Sequence, residues 1–332
     1  MLDAYLNWPL QIKDAIESWG KYSVDGSFDE IVVVGMGGSG IVGDYLQALS
    51  ATRGVIPVYT VKSHVLPGFI NSNTLVLIVS YSGNTVETLT AFRKAIGMKA
   101  KVVAVSSGGD LEKYALSHGL LHIPLPSGLQ PRASLPSMLY KILGLLDSSG
   151  LELVSRSEAI ESLKFIESVI RDAEFISEEI AEWLYRSVIN EERLLVIATH
   201  TPLDPLALRG KNEFNENSKL LVKVDVAPEW MHNDIVGYEN PVPRRFCILE
   251  VRDPDDPLGS KLVDFMEKIY RQHDAVTHGL KLSGHSLLEK LVYGSLVLGL
   301  SSVKLALLRG LNPIETRNIS MYKHEASGIF SI

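Results

Sequence analysis

From residue 31 the chain repeats one pattern, a short apolar run followed by a turn and then a helical pattern. Five runs are almost continuously hydrophobic, which is typical of strands covered on both faces, as in a parallel sheet flanked by helices. After the third run, apolar residues recur at helical spacing from Val86 to Ile96, and Gly97 follows as a stop signal. The pattern predicts a doubly wound α/β domain. The predicted strands are residues 31–34, 55–60, 75–79, 102–105 and 120–123.

The same alternation of strands and helices begins again after a polar stretch. Residues 147–150 contain one aspartate, two serines and a glycine and are the best linker candidate. A long charged helical region follows from about residue 158 to residue 189. We therefore predict two α/β domains, residues 1–150 and 151–332. The second set of elements comprises strands at residues 193–198, 220–226, 246–251 and 275–280 and a closing helix at residues 286–308.

Composition and charge narrow the class of protein. The 332 residues include 32 Lys and Arg against 39 Asp and Glu, and this formal charge of -7 offers no basic surface for nucleic acid. The one cysteine, Cys247, cannot form an internal disulfide, which fits a reducing compartment. The N-terminus does not resemble a signal peptide, and the longest uncharged apolar stretch, residues 291–303, is shorter than the roughly 20 residues of a membrane span. We expect a cytoplasmic protein whose partners are neither nucleic acid nor membrane.

A glycine-rich loop follows the first predicted strand. Residues 35–40 read GMGGSG, which satisfies the G-x-G-x-x-G dinucleotide fingerprint. A dinucleotide site also needs an acidic residue at the end of the second strand, but residues 60–63 there read TVKS. We therefore expect no nicotinamide cofactor. Gly37 and Gly38 would instead let main-chain N–H groups approach a small ligand, and Ser39 would add a hydroxyl; a tight turn without a ligand is the alternative.

A second polar loop, residues 80–85 with the sequence SYSGNT, follows the third predicted strand directly. The carboxyl end of a parallel strand is where open α/β sheets bind ligands. Ser80, Ser82 and Thr85 offer three hydroxyl groups, and the helix start offers N–H groups and a favourable dipole, so a phosphate monoester needs no lysine here. The alternative is that Ser82 or Asn84 only caps the helix. Because the chain has no G-x-x-x-x-G-K-[ST] segment, a nucleoside triphosphate is disfavoured.

A GMGGSG loop followed by SYSGNTVET resembles the sugar isomerase (SIS) domain family, in which the second loop binds the phosphate of a phosphosugar. Four further segments closely resemble the archaeal bifunctional phosphoglucose/phosphomannose isomerases. This resemblance implies two SIS-type, flavodoxin-like subdomains with doubly wound parallel sheets, in a homodimer. It also implies a metal-free interconversion of glucose 6-phosphate, and of mannose 6-phosphate, with fructose 6-phosphate through a cis-enediol. The segments are PRASLP at 131–136, NEFNEN at 212–217, PEWMHN at 228–233 and SVKL at 302–305.

The resemblance places two candidate proton-transfer groups in the second domain. Glu216, the second glutamate of NEFNEN, takes the position of the base, and a carboxylate suits that role. Glu213 is its rival, since the two share a helix face, and either could instead pair with Lys219 or lie in solvent. His232 takes the position that transfers protons during ring opening, and in the family this histidine crosses the subunit boundary. The alternative is an inert loop histidine; the other candidates are His64, His200, His278 and His285.

Two cations complete the set that the resemblance implies. Arg132 takes the position of the guanidinium that meets the enediolate oxygen; a surface ion pair is the alternative. Lys304 lies in the apolar closing helix and takes the position near the ring oxygen and the C1 or C2 hydroxyls; a lysine that extends to solvent is the alternative. The pocket that admits both C2 epimers is expected near Tyr293 or Ser295.

A sugar-phosphate sensor and a zinc-dependent isomerase are two alternative classes of function. A sugar-phosphate sensor or regulator without isomerase activity would share the phosphate loop, but it would not need the four candidate catalytic residues. A zinc-dependent isomerase would need clustered ligands. His118 and His122 are the only histidines four apart, and the strand predicted after Gly119 separates them, so we expect no metal site.

Overall fold

The computed structural model describes residues 1–240 and 245–330, and for Ser327 the backbone only; it contains two compact units. The first unit consists of Asn7–Lys164 and the segment from Thr316 onward, and the second consists of Met1–Leu6 and Phe165–Glu315. The compact units therefore differ from the predicted residues 1–150 and 151–332 in their boundary and at both termini. The predicted linker lies inside the first unit because the chain packs together across it. The buried hydroxyls of Tyr140 and Ser162, one on each side, are 2.5 Å apart.

The first unit is built on a parallel sheet of five strands in the order β2-β1-β3-β4-β5. In register, Val34 of β1 pairs with Val61 of β2 and with Ile78 of β3, so these strands end at the same edge. This is the flavodoxin-like order of a doubly wound sheet, and it confirms the predicted fold class. The strands are β1 Glu30–Val34, β2 Val58–Val61, β3 Thr74–Val79, β4 Lys101–Ser106 and β5 Leu121–Pro124.

Helices cover this sheet, and the periodicity of their apolar residues explains why they form. In the helix after β3, Leu89 and Phe92 are buried in one core with Val32 and Ile78 of the sheet. Gly97 is the last residue of that helix rather than the residue after it. The helices of this unit are α2 Trp8–Glu17, α3 Gly37–Arg53, α4 Val86–Gly97, α5 Gly109–Ser117, α6 Leu135–Ser148 and α11 Arg317–Ile329.

The second unit repeats the arrangement with four parallel strands in the order β7-β6-β8-β9. This order equals that of the first four strands of the other sheet, and it confirms the prediction of a second doubly wound subdomain. The strands are β6 Leu194–His200, β7 Val222–Ala227, β8 Phe246–Arg252 and β9 Val276–Lys281, and the main helices are α1 Leu2–Leu6, α7 Arg156–Leu184 from Phe165 on, α8 Asp204–Ser218, α9 Pro257–Gln272 and α10 Leu287–Leu308.

Helix α10 forms the centre of the second unit. It begins with a capping box, in which the side chains of Ser286 and Glu289 each accept from the other residue's main-chain amide. Among the described helices, α10 alone is long and apolar enough to cross a membrane, but 83% of the stretch that meets this criterion is buried inside the protein. It packs against α8 and α1 of the same unit, as a core helix does.

Candidate active site

The order of strands reverses between β1 and β3 of the first sheet, and ligands of doubly wound sheets bind at such a switch point. Two loops leave the sheet there, the glycine loop (residues 35–40) after β1 and the hydroxyl loop (residues 80–85) after β3. The main-chain amide of Tyr81 donates a 3.1 Å hydrogen bond to Ser39 Oγ, so the two loops touch. The structure thus brings together the two segments that the sequence analysis singled out.

The glycine loop leads into α3, which begins at Gly37 without a side-chain cap from Met36. A Cβ atom at Gly38 would lie 3.0 Å from the main chain of both Pro131 and Arg132. Glycine therefore lets the start of α3 approach the 3-10 turn Pro131–Ser134 closely. Ser39 is buried, and its hydroxyl also lies 3.6 Å from the sulfur of Met138. The Ser39 hydroxyl thus connects the glycine loop to the hydroxyl loop. Its contact with a ligand stays a prediction.

The hydroxyl loop leads into α4, whose N-cap Thr85 makes no side-chain cap hydrogen bond. Ser80 Oγ donates to Thr85 Oγ1 at 3.1 Å, and Ser82 Oγ accepts from the amide of Asn84 at 3.3 Å. The alternative in which Ser82 or Asn84 caps α4 is not what the structure contains. Asn84 Oδ1 instead accepts from the amide of Asp110, in the first turn of α5, at 3.0 Å. The positive ends of α3 and α4 therefore lie beside three hydroxyl-bearing residues, an arrangement that suits an anion.

A third segment, residues 106–110 from the end of β4 into the first turn of α5, packs against the hydroxyl loop and braces it. Gly83 has a φ of +69°, and a Cβ atom there would lie 1.8 Å from the carbonyl oxygen of Gly108. The amide and hydroxyl of Ser107 both donate to the carbonyl oxygen of Tyr81, at 2.8 and 2.7 Å. This brace was not predicted from the sequence. Its signal was the run SSGG at residues 106–109, which follows the fourth strand at the same edge of the sheet.

Arg132 lies in the 3-10 turn against Gly38, and only 4% of the residue is exposed. This burial argues against the alternative of a surface ion pair. The turn is held from α2, because Trp8 Nε1 and Gln11 Nε2 each donate to the carbonyl oxygen of Ala133 at 3.0 Å. Within the first unit, Arg132 thus lies beside the glycine loop, at the start of α3.

In the second unit, the two candidate glutamates on α8 have different environments. Glu213 is 1% exposed and lies 2.6 Å from Arg209 Nη2. Its other carboxylate oxygen accepts from Tyr5 at 2.5 Å and from Asn217 at 2.9 Å. Burial, and then the charge of Glu213, raise the pKa of Tyr5 well above its usual value, so the phenol stays protonated and donates. Glu213 is therefore a member of a buried network, and its standing as the alternative base stays a prediction.

Glu216 is half-buried on the same helix. Lys219 Nζ donates to the main-chain oxygen of Glu216 at 2.7 Å. Helix α8 is fixed to α10 by two hydrogen bonds, from Asn217 Nδ2 to Ser302 Oγ at 2.9 Å and from Ser218 Oγ to the carbonyl oxygen of Ser302 at 2.6 Å. Glu216 therefore projects from a rigid helix pair, and its role as the base stays a prediction.

Lys304 lies on α10, two residues after Ser302. Its ammonium donates to the carbonyl oxygen of Glu174 on α7 at 2.6 Å and lies 3.5 Å from a carboxylate oxygen of Glu178. In this conformation the Lys304 side chain lies against α7 and is only 14% exposed, so it does not extend freely to solvent. A contact of this ammonium with a sugar stays a prediction.

His232 ends the 3-10 turn Glu229–His232 on the connection after β7. It is exposed, and it forms no hydrogen bond or ion pair within the described ranges. Its neighbours Trp230 and Tyr238 are buried, so the connection is anchored on both sides of the histidine. No group of three or more His, Cys, Asp or Glu side chains among the described residues is arranged to hold a metal ion.

Comparison with known proteins places the chain in a family. The family model of the bacterial phospho-glucose isomerase C-terminal SIS domain matches residues 176–325. A bifunctional phosphoglucose/phosphomannose isomerase of Aquifex aeolicus (strain VF5) is 36% identical over 300 residues, which cover 89% of each chain. One of Aeropyrum pernix is 34% identical over a 336-residue alignment that covers 97% of each chain.

A solved structure shows the same fold at low identity. The C-terminal domain of glucosamine-fructose-6-phosphate aminotransferase from Francisella tularensis superposes with a TM-score of 0.75 at 14% identity, covering 95% of this chain and 98% of that one. Because the identity is so low, this similarity concerns the fold alone. The near full-length relatives carry the assignment, and the chain belongs to the family of bifunctional phosphoglucose/phosphomannose isomerases.

Proposed function

We propose that this protein is an aldose-ketose isomerase that interconverts glucose 6-phosphate and mannose 6-phosphate with fructose 6-phosphate. The observation that carries the proposal is the meeting of α3 and α4 N-termini with the hydroxyl loop at the switch point of the first sheet. That arrangement suits an anion, and membership of the family supports a hexose 6-phosphate among the anions it could hold. The proposal requires neither a metal nor a cofactor.

In this proposal the 6-phosphate is bound by hydroxyls and amides rather than by lysine. Ser80, Ser82 and Thr85 supply hydroxyl groups, and the first amides of α4 donate along the helix axis. Gly37 and Gly38 allow the first amides of α3 to approach the sugar, while Ser39 holds the loops in register. The phosphate fixes one end of an open-chain hexose and leaves C1 and C2 to be positioned by other groups.

The chemistry at C1 and C2 is a proton transfer. His232 assists ring opening by moving a proton between the ring oxygen and the C1 hydroxyl. The carboxylate of Glu216 then removes the C2 proton of the aldose, and the electron pair forms the C1–C2 double bond while the C1 oxygen becomes an oxyanion. Arg132 and Lys304 stabilise the negative charge of this cis-enediolate. Transfer of the O2 proton to O1 and return of the abstracted proton to C1 complete the ketose.

This intermediate explains how one site could serve both aldoses. In the cis-enediol C2 is planar, so the configuration that distinguishes glucose from mannose phosphate is lost. A pocket that tolerates either position of the C2 hydroxyl in the aldose is then sufficient. We propose that the neighbourhood of Tyr293 and Ser295 on α10 contributes to this tolerance. Both residues are buried, and the Ser295 hydroxyl donates to the carbonyl oxygen of Leu291 at 2.6 Å.

The coupled assay of both substrates tests the proposal. Full-length protein treated with EDTA is given glucose 6-phosphate or mannose 6-phosphate, and fructose 6-phosphate is detected enzymatically. We expect turnover of both, and a loss of at least about 100-fold in kcat for Glu216→Gln. Phosphosugar binding without turnover would overturn the proposal in favour of a sensor or regulator. A loss of turnover that only added metal restores would overturn the metal-free mechanism.

We also propose that the protein is a cytoplasmic homodimer and acts in glycolysis and gluconeogenesis, where these hexose phosphates are intermediates. In this homodimer each subunit supplies its His232 to the active site of the partner subunit. Exposure of His232 supports this part of the proposal. Glu216→Gln and His232→Gln proteins are mixed, unfolded and refolded together. If the histidine acts across the boundary, one of the two sites in each heterodimer is intact, and about a quarter of wild-type activity returns. No recovery in a mixture shown to be dimeric would contradict it.

A further inference from the structure

A buried carboxylate lies beneath the segment that carries His232. Asp225, on β7, is 1% exposed. Its Oδ2 atom accepts three hydrogen bonds, from Trp230 Nε1 at 2.9 Å, Tyr238 OH at 2.7 Å and Tyr270 OH at 2.8 Å. Its Oδ1 atom forms an ion pair with Lys223. Because a buried charge is costly unless it is paired and hydrogen-bonded, these contacts must form together for the carboxylate to be stable there.

Two of the three donors flank the histidine in sequence. Trp230 belongs to the 3-10 turn that ends at His232, and Tyr238 ends the next 3-10 turn, Asp234–Tyr238. Both side chains reach the same oxygen of Asp225, so the carboxylate closes residues 230–238 into a loop with His232 in its exposed part. The third donor, Tyr270, comes from α9 and lies outside this loop.

The two tyrosine donors keep their hydrogen bonds to Asp225 because they stay protonated. Burial, and then the charge of Asp225, raise the pKa values of Tyr238 and Tyr270 above their usual range, so both phenols stay protonated and donate. The rings of Trp230, Tyr238 and Tyr270 also pack on one another, with centroids 5.1 to 5.6 Å apart. Lys223 extends the cluster to the loop surface, because its ammonium lies 2.9 Å from Asp234 Oδ1 as well.

We propose that Asp225 is a positioning residue for His232 and acts through Trp230 and Tyr238. The inference rests on the proposed function, in which His232 transfers protons during ring opening. A proton-transfer group must lie within hydrogen-bond reach of its target, so a loop released from Asp225 would lower the rate without altering the phosphate site. The signal in the sequence was an aspartate inside an otherwise apolar strand end, VDVA at residues 224–227.

Two tyrosines provide a matched pair of variants. Asp225→Asn removes a buried charge and could prevent folding, so the test uses Tyr238→Phe and Tyr270→Phe. Each loses one hydrogen bond to the same oxygen atom, but only Tyr238 belongs to the loop. We expect Tyr238→Phe to lower kcat about tenfold with little change in KM, and Tyr270→Phe to lower it less than about twofold. Thermal unfolding of both proteins checks that their stabilities fall by similar amounts.

The same substitutions in a His232→Gln background separate positioning from a general structural role. If Asp225 acts through the histidine, Tyr238→Phe should have no further effect on kcat once His232 is gone. An equal loss in both backgrounds, or equal losses for the two tyrosines, would overturn the inference. NMR of protein labelled in its histidine rings gives a readout that does not need turnover. Tyr238→Phe should shift or broaden the His232 signal while Tyr270→Phe leaves it in place, even if the wild-type protein proved to have no isomerase activity; an unchanged signal in Tyr238→Phe would contradict the inference.

Discussion

The hydroxyl of Ser39 accepts a 3.1 Å hydrogen bond from the main-chain amide of Tyr81, and this bond joins the loop after β1 to the loop after β3. In the proposed site the hydroxyl loop binds the phosphate and the glycine loop approaches the sugar, so the separation of the two loops determines whether one hexose phosphate can meet both. Ser39 is too buried to be a simple surface donor. Its effect on binding should therefore come through the geometry of the loops.

Ser39→Ala tests this role. The substitution removes the acceptor and leaves the Tyr81 amide buried without its partner, at a cost of about 1 to 3 kcal/mol. We expect KM for glucose 6-phosphate to rise several-fold while kcat changes little, because the catalytic groups are untouched. Ser50→Ala is the matched control, since Ser50 is a buried serine on the same helix whose hydroxyl donates to the carbonyl oxygen of Ile56. An equal rise in KM for the control would mean that the effect is one of general stability.

Gly83→Ala should disrupt the brace between the hydroxyl loop and residues 106–110. A Cβ atom at this position meets the Gly108 carbonyl oxygen at 1.8 Å, and the backbone has a φ of +69° that favours glycine. We expect a loss of more than about 3 kcal/mol in the free energy of unfolding, measured by denaturant titration, together with weaker phosphosugar binding. Gly97→Ala on α4 is the control, because nothing lies within 4 Å of its Cβ position. A stable Gly83→Ala protein with normal binding would show that the brace is dispensable.

We expect different defects in two glutamate variants: Glu213→Gln should lose stability, and Glu216→Gln should lose activity. Glu213 is paired with Arg209 in a buried network, and breaking one partner of a buried pair costs about 3 to 5 kcal/mol, so its variant should lose thermal stability. Glu216 is half-buried outside that pair, so its variant should keep the melting temperature and lose kcat. Calorimetry and the coupled isomerase assay on the same preparations measure both effects. A stable but inactive Glu213→Gln protein would exchange the two assignments.

The first sheet was predictable because its central strands are uninterrupted apolar runs, as at residues 75–79. The hydroxyl loop was predictable because ligand sites of this fold lie where such strands end. The environment of Glu213 was not predictable from the sequence. Spacing places Glu213 and Glu216 on one helix face, but it does not say which of them contacts Tyr5, which is 208 residues from Glu213 in sequence. The compact units escaped prediction for the same reason: Tyr5 packs with the second unit although it is only two residues before Asn7 of the first.

Glu250, a carboxylate in the second sheet, should make the free energy of unfolding depend on pH. Glu250 on β8 is 3% exposed, and Arg252 donates to its Oε2 atom at 3.1 Å from Nε and 2.8 Å from Nη2. Burial raises the pKa of Glu250 from 4.5 to about 7, and the charge of Arg252 opposes but does not cancel this rise. Between about pH 4.5 and pH 7 the folded protein therefore binds more protons at this residue than the unfolded chain does.

The stability contribution of Glu250 is thus fully present below the lower of these pKa values and is lost as the pH rises through the upper one. Glu250→Gln removes the titration and keeps the shape of the side chain. We expect its unfolding free energy to exceed that of the wild type by an amount that grows from near zero at pH 4.5 to at most about 3 kcal/mol above pH 7. Denaturant titrations across this range measure the difference. Asp264→Asn is the control, because Asp264 pairs with the same guanidinium but is largely exposed. A pH-independent difference for Glu250→Gln would show that the carboxylate is ionised throughout, held by Arg252 in spite of its burial.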